Sequence, residues 1–309
     1  MKWIKKGLIF QTDKQYDWMT SHAQCPTAIV LEDRIRIFFS ARLENHQSLP
    51  TFIDVEKDNP QKIITLNPNP VLERGRRGTF DENGIIPNYV IYKNNELYLY
   101  YAGWSQCKNV PYKNFTGLAI SRDNGLTFKK YSEAPVFSLN QHDPLSATGP
   151  CIVLKNELYY SIYSTGIDWL EIDEKLEHTY QFTYAVSKDA IHWVPSGKLI
   201  IDSNSTFEAN CKPTIIEQDG VYHLWFATRG SHNFRKPGNT SYRLGYAYST
   251  DLLNWTRNDS KAGIDVSDEG WDSEMICYPH IVKVNNKYIM FYNGNGFGKS
   301  GFGYAELEF

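Results

Sequence analysis

Glu82, Glu208 and Glu274 share one relative position in this chain: each lies five residues before a proline, namely Pro87, Pro213 and Pro279. Asp81, Asp143 and Asp272 fall in the same kind of stretch, ahead of Pro87, Pro150 and Pro279. Carboxylates gathered from separate segments repel one another, so at least one pKa rises and a proton donor stands beside a base. That is the equipment of general acid–base catalysis. Near the same prolines stand Ser21, His22 and Gln24, then Asn210 and Lys212. Histidine's near-neutral pKa would let His22 move a proton as well. A repeated Asp or Glu can equally be structural, accepting backbone N–H bonds from a neighbouring element.

The prolines mark the elements that must position these groups. Pro26, Pro87, Pro150, Pro213 and Pro279 recur at intervals of 61, 63, 63 and 66 residues, in SHAQCPTAIV, ENGIIPNYVI, SATGPCIVL, EANCKPTII and EMICYPHIV. Each is followed by a polar turn and an aromatic-rich run, as in KNNELYLYYAGW or EQDGVYHLWFATRG. Such a pair reads as a β-hairpin about an Asn, Asp or Gly turn. A third run recurs as AISRDNGLTF, AVSKDAIHW and AYSTDLLNW, with Ser121 and Asp123, Ser187 and Asp189, and Ser249 and Asp251 in equivalent places. These pairs lie in outer strands and read as structural. A fourth strand is expected at NPVLE, APVFSL and GKLIID. Four short strands repeated five times predict an all-β chain, a five-bladed β-propeller of four-stranded antiparallel blades forming one domain over residues 1–309. The fifth unit ends at GFGYAELEF without a fourth strand, and the N-terminal WIKKGLIFQTD matches that pattern. Residues Lys5–Phe10 are therefore expected to close the last blade, which removes two open sheet edges.

In such a ring the proline strand is innermost and antiparallel to the strand after it. Proline-strand starts and second-strand ends then surround one mouth. The second-strand ends add Arg42, Trp104, Arg229 and Asn293, with Trp169 in a following loop. Two arginines suit a carboxylate or phosphate through paired bonds. Trp104 and Trp169 suit stacking on sugar rings as well as ordinary packing. The expected catalytic set is Glu208, Asp81, Glu82, Glu274 and His22. The expected ligand-contacting set is Gln24, Arg42, Trp104, Asp143, Trp169, Asn210, Lys212, Arg229, Asp272 and Asn293.

This arrangement resembles the five-bladed propeller superfamily of β-fructosidases, arabinanases and β-xylosidases, and is similar to mannoside phosphorylases. The resemblance implies a carbohydrate-active enzyme of glycoside hydrolase type acting at the propeller mouth. It places Asp81 or Glu82 at the second-blade acidic position and Glu208 at the general acid. The hydrolases carry an Asp in the first blade, where this chain has SHAQCP with His22 and Gln24. Three outcomes follow from that departure. His22 transfers a proton; or phosphate or a nucleotide-linked sugar is handled by a phosphorylase or transferase using His22, Arg42, Lys212 or Arg229; or the mouth binds carbohydrate without breaking a bond.

Bulk properties narrow the classes. The net charge of −3 gives no reason to expect a nucleic-acid or anionic-membrane partner, and the resemblance implies a carbohydrate or sugar-phosphate ligand. Aromatic residues make up 15% of the chain, which suits strands. The lysine-containing N-terminus turns polar too soon for a signal peptide. Five cysteines without CxxC pairs read as reduced thiols in a cytoplasmic protein. Cys25, Cys151, Cys211 and Cys277 lie within two residues of the repeated prolines and are expected to be buried. No cofactor motif and no metal motif is evident.

Overall fold

The computed structural model describes residues 1–238 and 240–308, and strands account for almost all of its regular structure. Helix among the described residues is confined to a 3-10 turn, Asp259–Lys261, and the four-residue segment Asn295–Gly298. None of it is long and apolar enough to cross a membrane.

The chain opens with β1 (Lys2–Phe10). Antiparallel sets follow. The first is β2 (Ser21–Val30), β3 (Ile35–Arg42), β4 (Ser48–Val55) and β5 (Ile63–Leu66). The next is β6 (Gly84–Lys93), β7 (Glu96–Gln106), β8 (Tyr112–Ser121) and β9 (Lys129–Lys130). Then come β10 (Ala147–Lys155), β11 (Leu158–Ile172), β12 (Lys175–Ser187) and β13 (Val194–Leu199). A further set is β14 (Ala209–Gln218), β15 (Val221–Arg229), β16 (Arg243–Ser249) and β17 (Thr256–Arg257). The last is β18 (Cys277–Val284), β19 (Lys287–Asn293) and β20 (Phe302–Glu308), to which β1 adds antiparallel. Pro68 and Pro70 cannot donate to a ladder, and the fourth strand of the first set lies at Ile63–Leu66, upstream of the expected NPVLE run.

Aromatic and branched residues on the sheet faces bury against the neighbouring set. Phe38 and Phe52 meet Leu97 and Tyr101, and Phe182 meets Phe226 with ring centres 5.2 Å apart. Trp225 packs with Met290 and Trp3. Phe10 and Phe302 of the last set lie 5.1 and 5.7 Å from Phe39 of the first.

The repeated prolines have one further effect. Each of β2, β6, β10, β14 and β18 breaks register with its partner at its proline. The residue before the proline takes a left-handed conformation in four of them: Cys25 (φ 56°), Gly149 (φ 65°), Lys212 (φ 53°) and Tyr278 (φ 55°). A residue before proline normally prefers extended backbone, and a non-glycine at positive φ is strained. A bulge re-aims the side chains beside it. Here the bulges turn residues from separate sets toward one pocket.

Candidate functional site

A pocket of about 460 Å³ opens over these bulges. Its lining includes Gln24 and Cys25 of β2, Ile86 and Asn88 of β6, Thr148 and Gly149 of β10, Cys211 and Lys212 of β14, and Tyr278 of β18. Its size suits a small ligand. Second-strand ends contribute Arg42, Trp104 and Arg229. The β11–β12 hairpin is the longest, with strands of 15 and 13 residues, and its far half supplies Trp169, Glu177, His178 and Tyr180. Tyr112, Asn114, Phe234, Arg235, Tyr242 and Phe297 complete the walls.

Of the residues expected from sequence, Gln24, Arg42, Trp104, Trp169, Lys212 and Arg229 line this pocket, and the others lie outside its lining. The carboxylates instead tie strands together at one repeated spacing. Tyr101, Tyr163 and Tyr292 donate their hydroxyls to Asp81, Asp143 and Asp272, each 20 residues earlier, at 3.0, 2.8 and 2.9 Å. Thr228 donates to Glu208 across the same spacing at 3.0 Å. Outer strands add cations: Lys130 of β9 pairs with Asp81, Lys5 of β1 with Asp272, and Arg257 of β17 with Glu208.

Glu208 therefore differs from a general acid of raised pKa. Burial alone would raise its pKa, but two Arg257 hydrogen bonds of 2.7 Å and the guanidinium charge outweigh burial and hold it near 2. The Asn204 N–H and the Asn210 amide add to the effect. At neutral pH this carboxylate carries no proton to donate. Glu82 accepts from the Gly78 N–H, and exposed Glu274 contacts its surroundings through backbone bonds to Asn295 and Arg243. Asn293 is buried and joins last set to first, donating to the Ala23 carbonyl and accepting from the Cys25 N–H. His22 is pushed down to about 4 by burial, Arg42 and Lys299, so it is neutral at pH 7.

The pocket is cationic although the chain is acidic overall. Lys212 is 2% exposed and Arg229 5%, and neither makes an ion pair among the described residues; half-buried Arg42 makes none either. Lys212 donates to the Thr27 hydroxyl at 3.2 Å and to the Asn88 carbonyl, and burial lowers its pKa to about 8. Arg229 donates to the His178 and Gly230 carbonyls and the Tyr242 hydroxyl, with its guanidinium 3.7 Å from the Phe234 ring centre. Tyr242 and Tyr180 share a hydrogen bond of 3.1 Å. The carboxylate in the lining is Glu177, paired with Arg235. Trp169, expected in a loop, lies within β11, because that strand runs on to Ile172; sequence reasoning passed over Glu177, His178 and Tyr180 on the strand paired with it. Their signal was the length of the run from Leu158 to Ser187, longer than the matching hairpins.

The fold is shared with solved structures described as glycoside hydrolases. A glycosyl hydrolase from Bacteroides ovatus superposes with a TM-score of 0.74 at 15% identity, covering 99% of this chain and 93% of that one. A thermostable family-43 glycoside hydrolase gives 0.72 at 17% identity over 94% and 90%. A structure from the GH130 family of mannoside phosphorylases, described as containing glycoside hydrolases that target beta-1,2 mannosidic linkages, gives 0.74 at 15% identity over 99% and 93%. The chain belongs to the family of the uncharacterized proteins Rv1502 and MT1551 of Mycobacterium tuberculosis, with 35% identity over the full length of each. It is also 24% identical over 170 residues, 53% of either chain, to a 1,2-beta-oligomannan phosphorylase from a Thermoanaerobacter species. No protein-family model matches the chain.

Proposed function

We propose that the chain is a single five-bladed propeller and a carbohydrate-active enzyme whose pocket takes a sugar together with a phosphate group. Phosphorolysis or glycosyl transfer fits the site better than hydrolysis by a carboxylate pair. The five-bladed reading is supported by the contacts of β2 with β6 and β18, of β10 with β6 and β14, and of β14 with β18. A reducing compartment fits the five free cysteines.

One observation carries the functional reading: Lys212, Arg229 and Arg42 face an aromatic-lined pocket without an ion-pair partner among the described residues, while Asp81, Asp272 and Glu208 are held in ion pairs outside it. A buried cation without a counter-charge is costly, and a bound anion offsets that cost. Phosphate also removes the need for a protein acid. As a hydrogen phosphate oxygen bonds to the anomeric carbon, the glycosidic C–O bond breaks and the phosphate proton passes to the departing alcohol. The chain's own task is then to hold the phosphate on the ring face from which the alcohol departs, where its proton can reach the leaving oxygen, which guanidinium forks do well. The likeness to the oligomannan phosphorylase supports the same reading.

Calorimetric titration with inorganic phosphate tests it. Binding is expected, and Arg229→Lys or Arg42→Lys should weaken it about tenfold, because a point charge cannot reproduce a fork. Absence of binding, or unchanged affinity in both variants, would remove phosphate from the reading.

A further inference from the structure

The pocket takes its groups from two stretches of chain, which meet where Lys212 and Arg229 donate to the Asn88 and His178 carbonyls. Asn88 Oδ1, Asn114 Oδ1, Thr148 Oγ1 and His178 Nδ1 are buried atoms with no hydrogen-bond partner among the described residues, and all four residues line it. Asn88 is 6% exposed and His178 2%. They come from β6, β8, β10 and β12, and the same stretch of chain supplies the rings of Trp104, Tyr112 and Trp169. The unpaired cations come from elsewhere: Arg42 from β3, Lys212 from β14 and Arg229 from β15.

We propose that the β6–β12 side of the pocket is a subsite for one neutral sugar ring, with the ring's phosphate directed toward Lys212, Arg229 and Arg42. The ligand class is therefore an aldose phosphate. The phosphate end rests on the proposed function; the ring end has its own support. Buried polar atoms are nearly always satisfied, and each exception asks for a partner. Hydroxyl groups both donate and accept, so a ring of hydroxyls can meet two amides, a threonine and an imidazole together. His178 suits this part. Its ring stacks on Trp169 at 4.3 Å and 11°, which fixes its plane, and Nε2 lies 3.5 Å from the Ser146 hydroxyl. Burial and the Arg229 charge lower its pKa to about 3, so the imidazole stays neutral beside the cations.

The test titrates the full-length protein with inorganic phosphate and with the 1-phosphates of glucose, galactose, mannose, xylose and arabinose, following tryptophan fluorescence and heat. At least one sugar phosphate should bind about tenfold more tightly than phosphate itself. Asn114→Ala and His178→Phe should each remove about that factor and leave the phosphate Kd within twofold. Thr148→Val, nearly isosteric, provides the same reading should either of those fail to fold. If every sugar phosphate binds no better than phosphate, or the variants weaken both equally, the ring subsite is wrong. If phosphate does not bind, the phosphate reading fails, and methyl glycosides of the same five sugars decide the subsite. Binding that is weakened in Asn114→Ala upholds it, and no binding of any of them overturns it.

Discussion

Both oxygens of Glu208 are engaged, and Arg257 holds them in a two-bonded fork. Glu208→Gln weakens the charge-assisted fork and leaves Asp259 as the remaining counter-charge of Arg257, so it should cost about 1–3 kcal/mol of stability by chemical denaturation. Phosphate affinity should not change; a matching loss of binding would return Glu208 to the site. The same ion pair sets an acid response. With the folded pKa near 2 and an ordinary value of 4.5, the stabilisation is present above about pH 4.5 and is lost as pH falls toward 2. Glu208→Gln should flatten that part of an acid-unfolding profile. Lys212 gives the opposite sign. Its pKa is lowered to about 8, so the charge that attracts an anion is lost as pH rises through that value. Phosphate affinity should fall above about pH 8 in the parent protein, and this step should be absent in Lys212→Met. A profile flat to pH 10 in the parent protein would mean that Lys212 does not serve the anion.

At the scale of elements, the repeated Tyr-to-Asp bond joins the stretch before the first strand of a set to the second strand of that set. Asp81 and Asp272 are 1% and 2% exposed, and each also meets a lysine of an outermost strand. The start of the set, its second strand and its edge strand are thus joined through one carboxylate. Tyr101→Phe or Tyr292→Phe leaves a buried carboxylate oxygen with one bond fewer and should cost about 1–3 kcal/mol each. The measurement is urea unfolding, with phosphate binding as the control. A loss of binding without a loss of stability would contradict the structural role.

Across the whole molecule the two chain ends meet. β1 lies along β20, and Trp3 packs edge-on to Trp225 with ring centres 5.4 Å apart. Trp3 is 3% exposed, so Trp3→Ala should cost about 3–5 kcal/mol, seen as a lowered Tm with an unchanged unfolding cooperativity. Removing residues 1–10 takes away the β20 partner and the Lys5–Asp272 pair together, leaving an open edge. That truncated chain should aggregate on size-exclusion chromatography. A monomeric, cooperatively folding truncation would show that the last set stands without β1.

The sequence by itself determined the strand repeat, the antiparallel hairpins and the pairing of the N-terminal strand, because alternation, turn residues and proline spacing are local signals. It also marked Arg42, Trp104, Lys212 and Arg229, since strand ends can be placed once strands are known. It could not separate a catalytic carboxylate from one that ties strands together. Asp81, Glu208 and Asp272 have the residue type and position of an acid–base set, and only the tertiary structure shows them ion-paired outside the pocket lining. Their partners lie on other strands, Arg257 49 residues from Glu208 and Lys5 267 residues from Asp272. Tertiary structure alone also brought His178 and Asn114 to the wall containing Trp169. A hydrogen bond or an unpaired cation is a relation between distant residues, and a pKa follows from that relation rather than from residue type.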